Sequence, residues 1–343
     1  MKIAIIGAGI SGLTAAINLN ESADITLFEK SRGAGGRICT RYTDSYTFDH
    51  GAQFFTARTP EFKEFLKPLI KLGVIDNWKA RFIEVRNGTI INRQQWNDDA
   101  DLPHYVGVPS MSSIGKFLAK NLNVKLNTEV SIQKTPMGWE IIGSDGKVFG
   151  HYDWIISSIP AEQSSQLLPD YFSHYDALKQ KKMLGCYSLM LGFDEALDLD
   201  WDAAQFSGTD ISWISVNSSK PGRPSDYSLL VHSTNDWAEK HLDDDTDAVK
   251  KYLCSQVAGI IGQNVYSAQH ISLHRWRYAN IPRQDKNNLF IDPESKLAAC
   301  GDWCKKGRIE EAFRSGFDLA KEMKILINLS IIIVMVSSKV IKE

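Results

Sequence analysis

The sequence lacks the features that would place it among membrane, disulfide-rich or nucleic-acid-binding proteins. Its most apolar run, Ile325–Val336, has twelve residues and includes Asn328 and Ser330, whereas a membrane-spanning helix needs about 20. The five cysteines are odd in number and show no framework spacing, which fits a reducing compartment. The formal net charge of −2 gives no sign of a nucleic-acid surface. We therefore expect neither a nucleic-acid partner nor a transmembrane segment.

Room for a cleavable leader is also lacking, because a strand is predicted from residue 3 onward. These observations together predict a cytoplasmic protein. At the other end, residues 324–343 are expected to form an apolar tail. Its centre, Ile325–Val336, is predicted to be a terminal helix or strand that other residues have to cover, and membrane contact of this tail is the less favoured alternative.

A metal-ligand cluster is not expected either. The acidic run Asp243-Asp244-Asp245 has no histidine or further carboxylate at coordinating spacing. Acidic residues are favourable at the N-terminus of a helix. The run therefore predicts the start of a helix rather than a metal site.

The first thirty residues contain the strongest positive signal. A short apolar run, Ile3–Ile6, leads into the Gly-x-Gly-x-x-Gly turn Gly7–Gly12, and a helical pattern follows. In such a turn the first glycine permits the bend, the second lets a pyrophosphate approach, and the third lets helix pack on strand. The helix N-terminus then attracts the phosphates. A second strand ends at Glu29, 22 residues after Gly7, where such folds place a ribose-binding acid.

The loop after Glu29 distinguishes FAD from NAD. It reads Lys30-Ser31-Arg32-Gly33-Ala34-Gly35-Gly36-Arg37, a glycine-rich and basic run that plain NAD sites do not have. Backbone N–H groups of a glycine pair form an anion-binding concavity, and the Arg37 guanidinium can bridge two phosphate oxygens. The run resembles the second phosphate-contact motif of the flavin amine oxidase superfamily, which implies FAD.

The resemblance sharpens at Phe48-Asp49-His50-Gly51-Ala52-Gln53-Phe54-Phe55-Thr56. Together with the preceding Gly-Gly-Arg, this block resembles bacterial renalase-type flavoproteins, a branch of that superfamily. In that family the glutamine and the following aromatic residue contact FAD, and these are Gln53 and Phe54 here. The Gln53 amide carries a donor and an acceptor, as an isoalloxazine edge needs. A buried polar turn is the alternative, and Asp49 and His50 more often order a loop than act as acid and base.

Further family motifs follow along the chain. Val130 falls where this superfamily places a residue against adenine, and Asp302 of the Gly301-Asp302 motif would hold the ribityl chain or pyrophosphate. Lys305, Lys306 and Arg308 precede a predicted helix, where their charge is unfavourable unless an anionic partner is present. Cys300 and Cys304 flank the motif with three intervening residues rather than two, which does not indicate a redox disulfide.

The resemblance thus implies one set of FAD contacts and leaves the catalytic side chains open, because the flavin itself carries the chemistry. The predicted cofactor-binding residues are Gly7, Gly9, Ser11, Gly12, Glu29, Lys30, Gly36, Arg37, Gln53, Phe54, Val130, Gly301, Asp302 and Ile309. The candidates for lining the substrate pocket are His232, Trp276 and Arg308. No Ser-Gly-Gly-Cys-Tyr motif for covalent attachment is found, so FAD is expected to be bound non-covalently.

The predicted fold class is α/β plus α+β. Residues 1–59, 105–160 and 286–323 are predicted to form a discontinuous Rossmann-type FAD domain. Residues 60–104 and 161–285 are predicted to form a mixed-sheet substrate domain.

The activity that the resemblance implies is renalase-like. The 2- or 6-dihydro isomers of NAD(P)H would give a hydride to the flavin, and O2 would reoxidise the flavin to yield hydrogen peroxide and β-NAD(P)+. Only one dinucleotide motif is present, so a nicotinamide substrate has to enter the substrate pocket directly. A flavin-containing amine oxidase is the second enzyme hypothesis, and a non-catalytic flavin-binding redox sensor is the alternative of another class.

Overall fold

The structure, a computed structural model, describes residues 1–96, 102–282 and 289–340, and of residues 330–340 it describes the backbone alone. The strands are β1 (Lys2–Ile6), β2 (Asp24–Phe28), β3 (Arg41–Tyr42), β4 (Thr47–Phe48), β5 (Ile75–Asn77), β6 (Arg81–Arg86), β7 (Thr89–Gln95), β8 (Tyr105–Gly107), β9 (Val124–Lys125), β10 (Val130–Thr135), β11 (Gly138–Gly143), β12 (Val148–Tyr152), β13 (Trp154–Ser157), β14 (Leu184–Phe193), β15 (Ala203–Ser207), β16 (Ile211–Val216), β17 (Tyr227–Ser233), β18 (His270–Asn280), β19 (Phe290–Asp292) and β20 (Leu297–Ala299). The helices are α1 (Ile10–Leu19), α2 (Pro60–Lys71), α3 (Ser112–Ala119), α4 (Ala161–Leu167), α5 (Tyr175–Lys179), α6 (Asn235–Lys240), α7 (Thr246–Ile261) and α8 (Ile309–Val340).

The chain divides into two compact units. The first contains the described residues of 1–36, 115–182 and 283–343, and the second contains those of 37–114 and 183–282. Residues 37–59 and 105–114, expected in the FAD domain, pack within the second unit, and residues 161–182 pack within the first. The expected boundary at residues 285 and 286 lies outside the described residues. The assignment of domains by function stays a prediction.

The first unit is built on a six-stranded sheet with the order β19-β20-β13-β1-β2-β9. All neighbours run parallel except β19, which is antiparallel to β20. The central strands are apolar and buried along nearly their whole length, from Ile3–Ile6 to Trp154–Ser157. Such continuous burial is typical of parallel strands covered on both faces. A three-stranded antiparallel sheet, β10-β11-β12, completes this unit.

The second unit is built on a seven-stranded mixed sheet with the order β18-β14-β17-β16-β15-β6-β7. One face of this sheet is apolar and is covered by α6 and α7, with Leu189, Val231 and Leu253 in the shared core. Helix α7 begins after the Asp245 carboxylate, which accepts the Ala248 N–H at 2.9 Å. The acidic run thus starts a helix, as the sequence predicts. The α/β plus α+β class is confirmed.

Helix α8 is longer than the sequence analysis predicts. The tail expected to begin at residue 324 is not a separate element, because the helix that begins at Ile309 continues without interruption to Val340. Ile327 is buried, whereas Ile325 and Leu329 are about half exposed. Residues 324–340 of the predicted apolar tail are therefore the last part of one helix, and residues 341–343 lie outside the described residues. In the described portion of the chain, no helix combines the length and the apolar character that crossing a bilayer requires.

Candidate functional site

The glycine turn after β1 has the geometry that its motif predicts. Gly7 adopts a positive φ of 101° and donates its N–H to the Phe28 carbonyl at 2.7 Å. A Cβ at Gly12 would collide with the Gly7 carbonyl and the Ser158 hydroxyl. A Cβ at Gly9, by contrast, would meet no atom within 4 Å. The protein itself requires the first and third glycines, and the second leaves its side open to a ligand phosphate.

The loop after β2 folds onto this turn. Gly35 donates its N–H to the Ala8 carbonyl at 2.8 Å, and a Cβ at Gly36 would lie 3.3 Å from the Gly9 Cα. Gly35 and Gly36 have φ values of 121° and 58°, a region that favours glycine. Lys30 of the same loop is exposed. The two glycine motifs therefore form one backbone surface in the first unit, which fits a pyrophosphate.

Glu29 joins these two loops. Its buried carboxylate accepts the Ala8 N–H at Oε2 and the Ser31 N–H at Oε1, both at 2.8 Å. Each carboxylate oxygen keeps a second lone pair. The carboxylate can therefore still accept a hydroxyl hydrogen, which fits the predicted ribose contact.

The Gly-Asp motif follows β20, at the carboxyl ends of the parallel strands. A Cβ at Gly301 would collide with the Trp303 ring, whose Nε1 donates to the Ile159 carbonyl at 3.0 Å. Asp302 is buried, and its main-chain carbonyl accepts the Gly307 N–H at 3.1 Å. Ligands of open α/β sheets bind at this strand end, which fits the predicted role of the motif.

The positive charges before α8 depend less on an external anion than the sequence suggests. Lys305 is buried, and its Nζ lies 2.8 Å from the Asp318 carboxylate. Lys306 and Arg308 are exposed, and Ile309 is the first residue of the helix. Because one of the three charges is matched within the protein, the demand for an anionic partner is correspondingly smaller.

Two further predicted FAD contacts of the first unit lie where a helix and a strand begin. Ser11 is buried in the first turn of α1, and Val130 is half-buried at the start of β10. Cys300 and Cys304 are free thiols. Burial raises the pKa of Cys304 to about 12 and also raises the pKa of Cys300, so neither is a reactive thiolate at neutral pH.

In the second unit, the sheet face opposite α6 and α7 carries a row of polar side chains. His274 on β18, Ser188 on β14, His232 on β17 and Trp213 on β16 are successive register partners. Side chains of directly opposed residues lie on the same side of a sheet. We call this surface the polar face. The buried His232 Nε2 and Trp213 Nε1 atoms have no hydrogen-bond partner among the described residues.

Residues 49–53, which we call the Gln53 turn, pack on the polar face. The Ser188 hydroxyl and the Trp276 Nε1 both donate to the His50 carbonyl, at 2.7 and 2.8 Å. The Ser215 hydroxyl donates to Gln53 Oε1 at 3.0 Å. Trp276 therefore lies on the same side of the sheet as His232, which the sequence alone does not determine.

Gln53 is already saturated by its own unit. Its Nε2 donates to the Asp49 carbonyl at 2.5 Å and to the Gly51 carbonyl at 2.9 Å. Its Oε1 accepts from Ser215 and from Lys220 Nζ, the latter at 3.1 Å. The amide groups expected to face an isoalloxazine edge are both used inside the protein. In this structure the side chain fixes the shape of its turn.

Arg37 and Gly51 pack closely in the second unit. The Arg37 carbonyl accepts the Ala52 N–H at 3.0 Å, and a Cβ at Gly51 would collide with that carbonyl. The Arg37 Nη1 donates to the Ala279 carbonyl at 2.7 Å. The predicted role of Arg37 on a phosphate stays a prediction.

Asp49, Lys220 and Arg223 form what we call the buried ionic cluster. Lys220 Nζ lies 3.3 Å and Arg223 Nη2 lies 2.6 Å from Asp49 Oδ2, and the three side chains are 0 to 1% exposed. Burial by itself would raise the pKa of Asp49, but the two cations outweigh it and lower this pKa to about 2. Asp49 is therefore not poised as an acid or base near neutral pH.

The imidazoles of the polar face, and that of His50 packed on it, are held neutral. Burial, with His274 and Arg41 nearby, lowers the pKa of His50 to about 3. Burial also lowers the pKa values of His232 and His274 to about 4, with Arg41 contributing at His274. The Arg41 Nη2 lies 3.1 Å from His274 Nδ1. At pH 7 these rings add hydrogen-bonding capacity without charge.

Phe54 belongs to an aromatic cluster beside the polar face. Its ring centroid lies 4.9 Å from Trp96, 5.0 Å from His104 and 5.6 Å from Trp213. Trp96 and His104 are stacked, with centroids 3.8 Å apart. Residues from strands and loops distant in sequence are thus brought together around the residue predicted to contact FAD.

Sequence reasoning missed several members of this arrangement. Lys220, Arg223, Ser215, Arg41 and His274 were not predicted as site residues. The run Lys220-Pro221-Gly222-Arg223 reads as a polar turn. Nothing in its composition indicates that both cations are buried against a carboxylate 171 and 174 positions away.

Comparisons with known families agree with this geometry. Residues 5–69 match the family described as NAD(P)-binding Rossmann-like domain, and residues 78–324 match flavin containing amine oxidoreductase. The chain is 46% identical over 52 residues to a 4,4'-diapophytoene desaturase (4,4'-diaponeurosporene-forming) of Staphylococcus aureus (strain Newman). That match covers 15% of this chain and spans only 10% of the length of the relative.

Solved structures share the fold at low sequence identity. A candidate protoporphyrinogen oxidase from Exiguobacterium sp. 255-15 superposes with a TM-score of 0.74 at 12% identity, covering 94% of this chain and 98% of that one. A triple variant of putrescine oxidase gives 0.71 at 12% identity, with 94% and 98% coverage. Reduced UDP-galactopyranose mutase gives 0.73 at 14% identity, with 95% and 94% coverage. These likenesses establish the fold alone.

Proposed function

We propose that this protein, which belongs to the flavin containing amine oxidoreductase family and has FAD as its cofactor, oxidises dihydronicotinamide dinucleotides. The proposed substrates are the 2- and 6-dihydro isomers of NAD(P)H, and the products are β-NAD(P)+ and hydrogen peroxide. When bound, FAD supplies the hydride acceptor and the reaction with O2. The protein supplies binding, orientation and electrostatics.

The observation that carries this proposal is the charge around the Gln53 turn. Three cations lie close by: Lys220 and Arg223 bind the Asp49 carboxylate of this turn, and Arg41 contacts His274 on the polar face. The imidazoles of the polar face are neutral at pH 7. A positive region disfavours a cationic amine and favours a substrate that carries phosphates.

The unpartnered atoms of the polar face add a second argument. With His232 neutral, its Nε2 can accept a hydrogen bond and the Trp213 Nε1 can donate one. A nicotinamide carboxamide carries both a donor and an acceptor. Such a group would complement this pair better than a simple amine does, provided that the side chains that bury both atoms move aside when the substrate binds.

We also propose which residues contact FAD. The backbone of Gly7–Gly12 and of Gly35-Gly36 would hold the pyrophosphate, and the Glu29 carboxylate would accept a ribose hydroxyl. Gln53 and Phe54 would border the flavin, with Gln53 shaping the turn rather than offering a free amide. Attachment is proposed to be non-covalent, and a cytoplasmic location agrees with the five free cysteines.

A flavin-containing amine oxidase is the second candidate, and the aromatic cluster favours it. Aromatic faces attract ammonium groups within about 6 Å of a ring centroid. Phe54 and Trp213, which are only partly buried, offer ring surface in the second unit.

Anaerobic stopped-flow at the flavin absorbance band separates these functions. The FAD-loaded protein is mixed with 6-dihydroNAD, with ordinary β-NADH and with amines such as putrescine. Fast bleaching by the dihydro isomer alone supports the proposal, and bleaching by an amine alone replaces it with amine oxidation. A reduced flavin that stays reduced when air is admitted would instead indicate a redox sensor.

A further inference from the structure

The buried ionic cluster carries more positive than negative charge. Lys220 Nζ has three acceptors, Asp49 Oδ2 at 3.3 Å, Gln53 Oε1 at 3.1 Å and Asn217 Oδ1 at 3.1 Å. An ammonium group has three hydrogens to donate, so all are used. With Lys220 and Arg223 against Asp49, the cluster has a net charge of +1.

The carboxylate of Asp49 has no capacity left to offset this excess. Its Oδ2 also accepts from Arg223 Nε at 3.1 Å and Nη2 at 2.6 Å. Its Oδ1 accepts from the Thr40 hydroxyl at 2.6 Å and the Met111 N–H at 3.1 Å. Among the described residues, no other carboxylate is paired with either cation. An unmatched buried charge is unfavourable, so its presence calls for a reason.

The excess charge is coupled to the turn that is proposed to border the flavin. Lys220 and Ser215 together hold Gln53 Oε1. Gln53 in turn holds the carbonyls of Asp49 and Gly51. Lys220 is therefore one hydrogen bond away from the side chain that fixes this turn, in surroundings from which water is excluded.

We propose that the charge of Lys220, which is buried beside the Gln53 turn, favours the reduced form of the flavin. This inference rests on the proposed contacts of Gln53 and Phe54 with the flavin. Reduction by two electrons with uptake of one proton adds one negative charge to the flavin. A cation in a low-dielectric environment stabilises that charge relative to the oxidised form.

The test is the midpoint potential of the FAD-loaded protein, titrated with dithionite beside a reference dye. Lys220→Met is expected to lower the equilibrium constant for reduction about tenfold, or about 30 mV for a two-electron couple. Lys220→Arg keeps the charge and is expected to keep the potential. Ser215→Ala removes a hydrogen bond to the same Gln53 oxygen without removing charge, and is expected to leave the potential unchanged. Dithionite needs no substrate, so the result does not depend on the nicotinamide proposal.

The pH dependence gives a second readout that a structural role would not change. Burial lowers the pKa of Lys220 to about 8, despite Asp49. The charged groups facing it are Asp49 and Arg223, and its charge also acts on His232. Neither Asp49 nor His232 titrates near pH 8. As pH rises through about 8, the wild type is expected to lose the Lys220 contribution, whereas Lys220→Arg keeps it.

Each possible result either supports or overturns the proposal. A lower potential in Lys220→Met alone, with wild type and Lys220→Arg diverging above pH 8, supports the proposal. An unchanged potential in a Lys220→Met protein that binds FAD overturns it, as does an equal shift in Ser215→Ala. If Lys220→Met fails to bind FAD, the comparison of wild type with Lys220→Arg decides, and coincident pH curves overturn the proposal.

Discussion

The three glycines of the first turn differ in what surrounds them. A Cβ at Gly12 would meet backbone and a buried serine, whereas a Cβ at Gly9 would meet open space. A side chain at Gly12 has to displace the Gly7 carbonyl and so distort the turn. The cost at this position is imposed by the protein before any ligand is considered.

Gly12→Ala is therefore expected to abolish FAD binding, because the turn can no longer present its N–H groups to the pyrophosphate. The measurement is the ratio of flavin to protein absorbance after purification and reconstitution. Gly259→Ala in α7 is the matched control, since its Cβ would meet no atom within 4 Å and alanine favours a helix. A Gly12→Ala protein that retains stoichiometric FAD contradicts the assignment.

Strand register arranges the polar face at the scale of elements. His274, Ser188 and His232 come from three strands that are distant in sequence, and pairing of β18, β14 and β17 sets them side by side. The turn with His50 then covers them. The imidazoles lose water by this packing, and their pKa values fall as a consequence.

Stability is expected to fall on acidification because of these imidazoles. Histidine side chains of the unfolded chain have a pKa near 6.5. In the folded protein the pKa values of His50, His232 and His274 are lowered to about 3 to 4. Between these limits the unfolded state binds more protons, so the free energy of unfolding decreases as pH falls. We expect a loss of at least about 2 kcal/mol between pH 7 and pH 5, measured by urea unfolding.

His274→Phe is expected to reduce that pH dependence by removing one titrating ring. Gly259→Ala in α7, which removes no titrating group and whose Cβ would meet no atom within 4 Å, provides the control and is expected to keep the wild-type slope. Equal slopes in all three proteins would show that the buried imidazoles do not govern acid stability.

At the scale of the whole molecule, two units with different sheets make up the protein. The first has the parallel sheet and the glycine turns, and the second has the mixed sheet with the buried ionic cluster. The family assignment extends over residues of both units. Cofactor binding is therefore expected to stabilise at least the first unit, which carries the glycine turns.

Removal of FAD is expected to lower the melting temperature, because a ligand that binds only the folded state stabilises it. At a free concentration 100 times the Kd, the gain is about 2.7 kcal/mol. Differential scanning calorimetry of apo and reconstituted protein measures the shift. Gly12→Ala serves as the control, with no response to added FAD, and a wild-type protein that melts at the same temperature with and without FAD would contradict the assignment.

The sequence by itself determined the dinucleotide turn, the FAD-type loop and the fold class. These depend on residues close together in the chain, namely Gly7–Gly12, Glu29 and Gly35-Gly36, whose spacing dictates local backbone geometry. The structure agrees with these expectations because short-range steric rules act independently of distant contacts. The start of α7 at the acidic run is predictable for the same reason.

Only the tertiary structure decided what Gln53, Lys220 and Phe54 do within the protein. Gln53 is saturated by Ser215 and Lys220, which lie more than 160 positions away. The burial of Lys220 depends on strand pairing and on a carboxylate distant in sequence, so composition gives no sign of it. Hydrogen-bond saturation and desolvation are properties of the assembled neighbourhood, and they decide whether a polar residue is available to a ligand or is used to build the site.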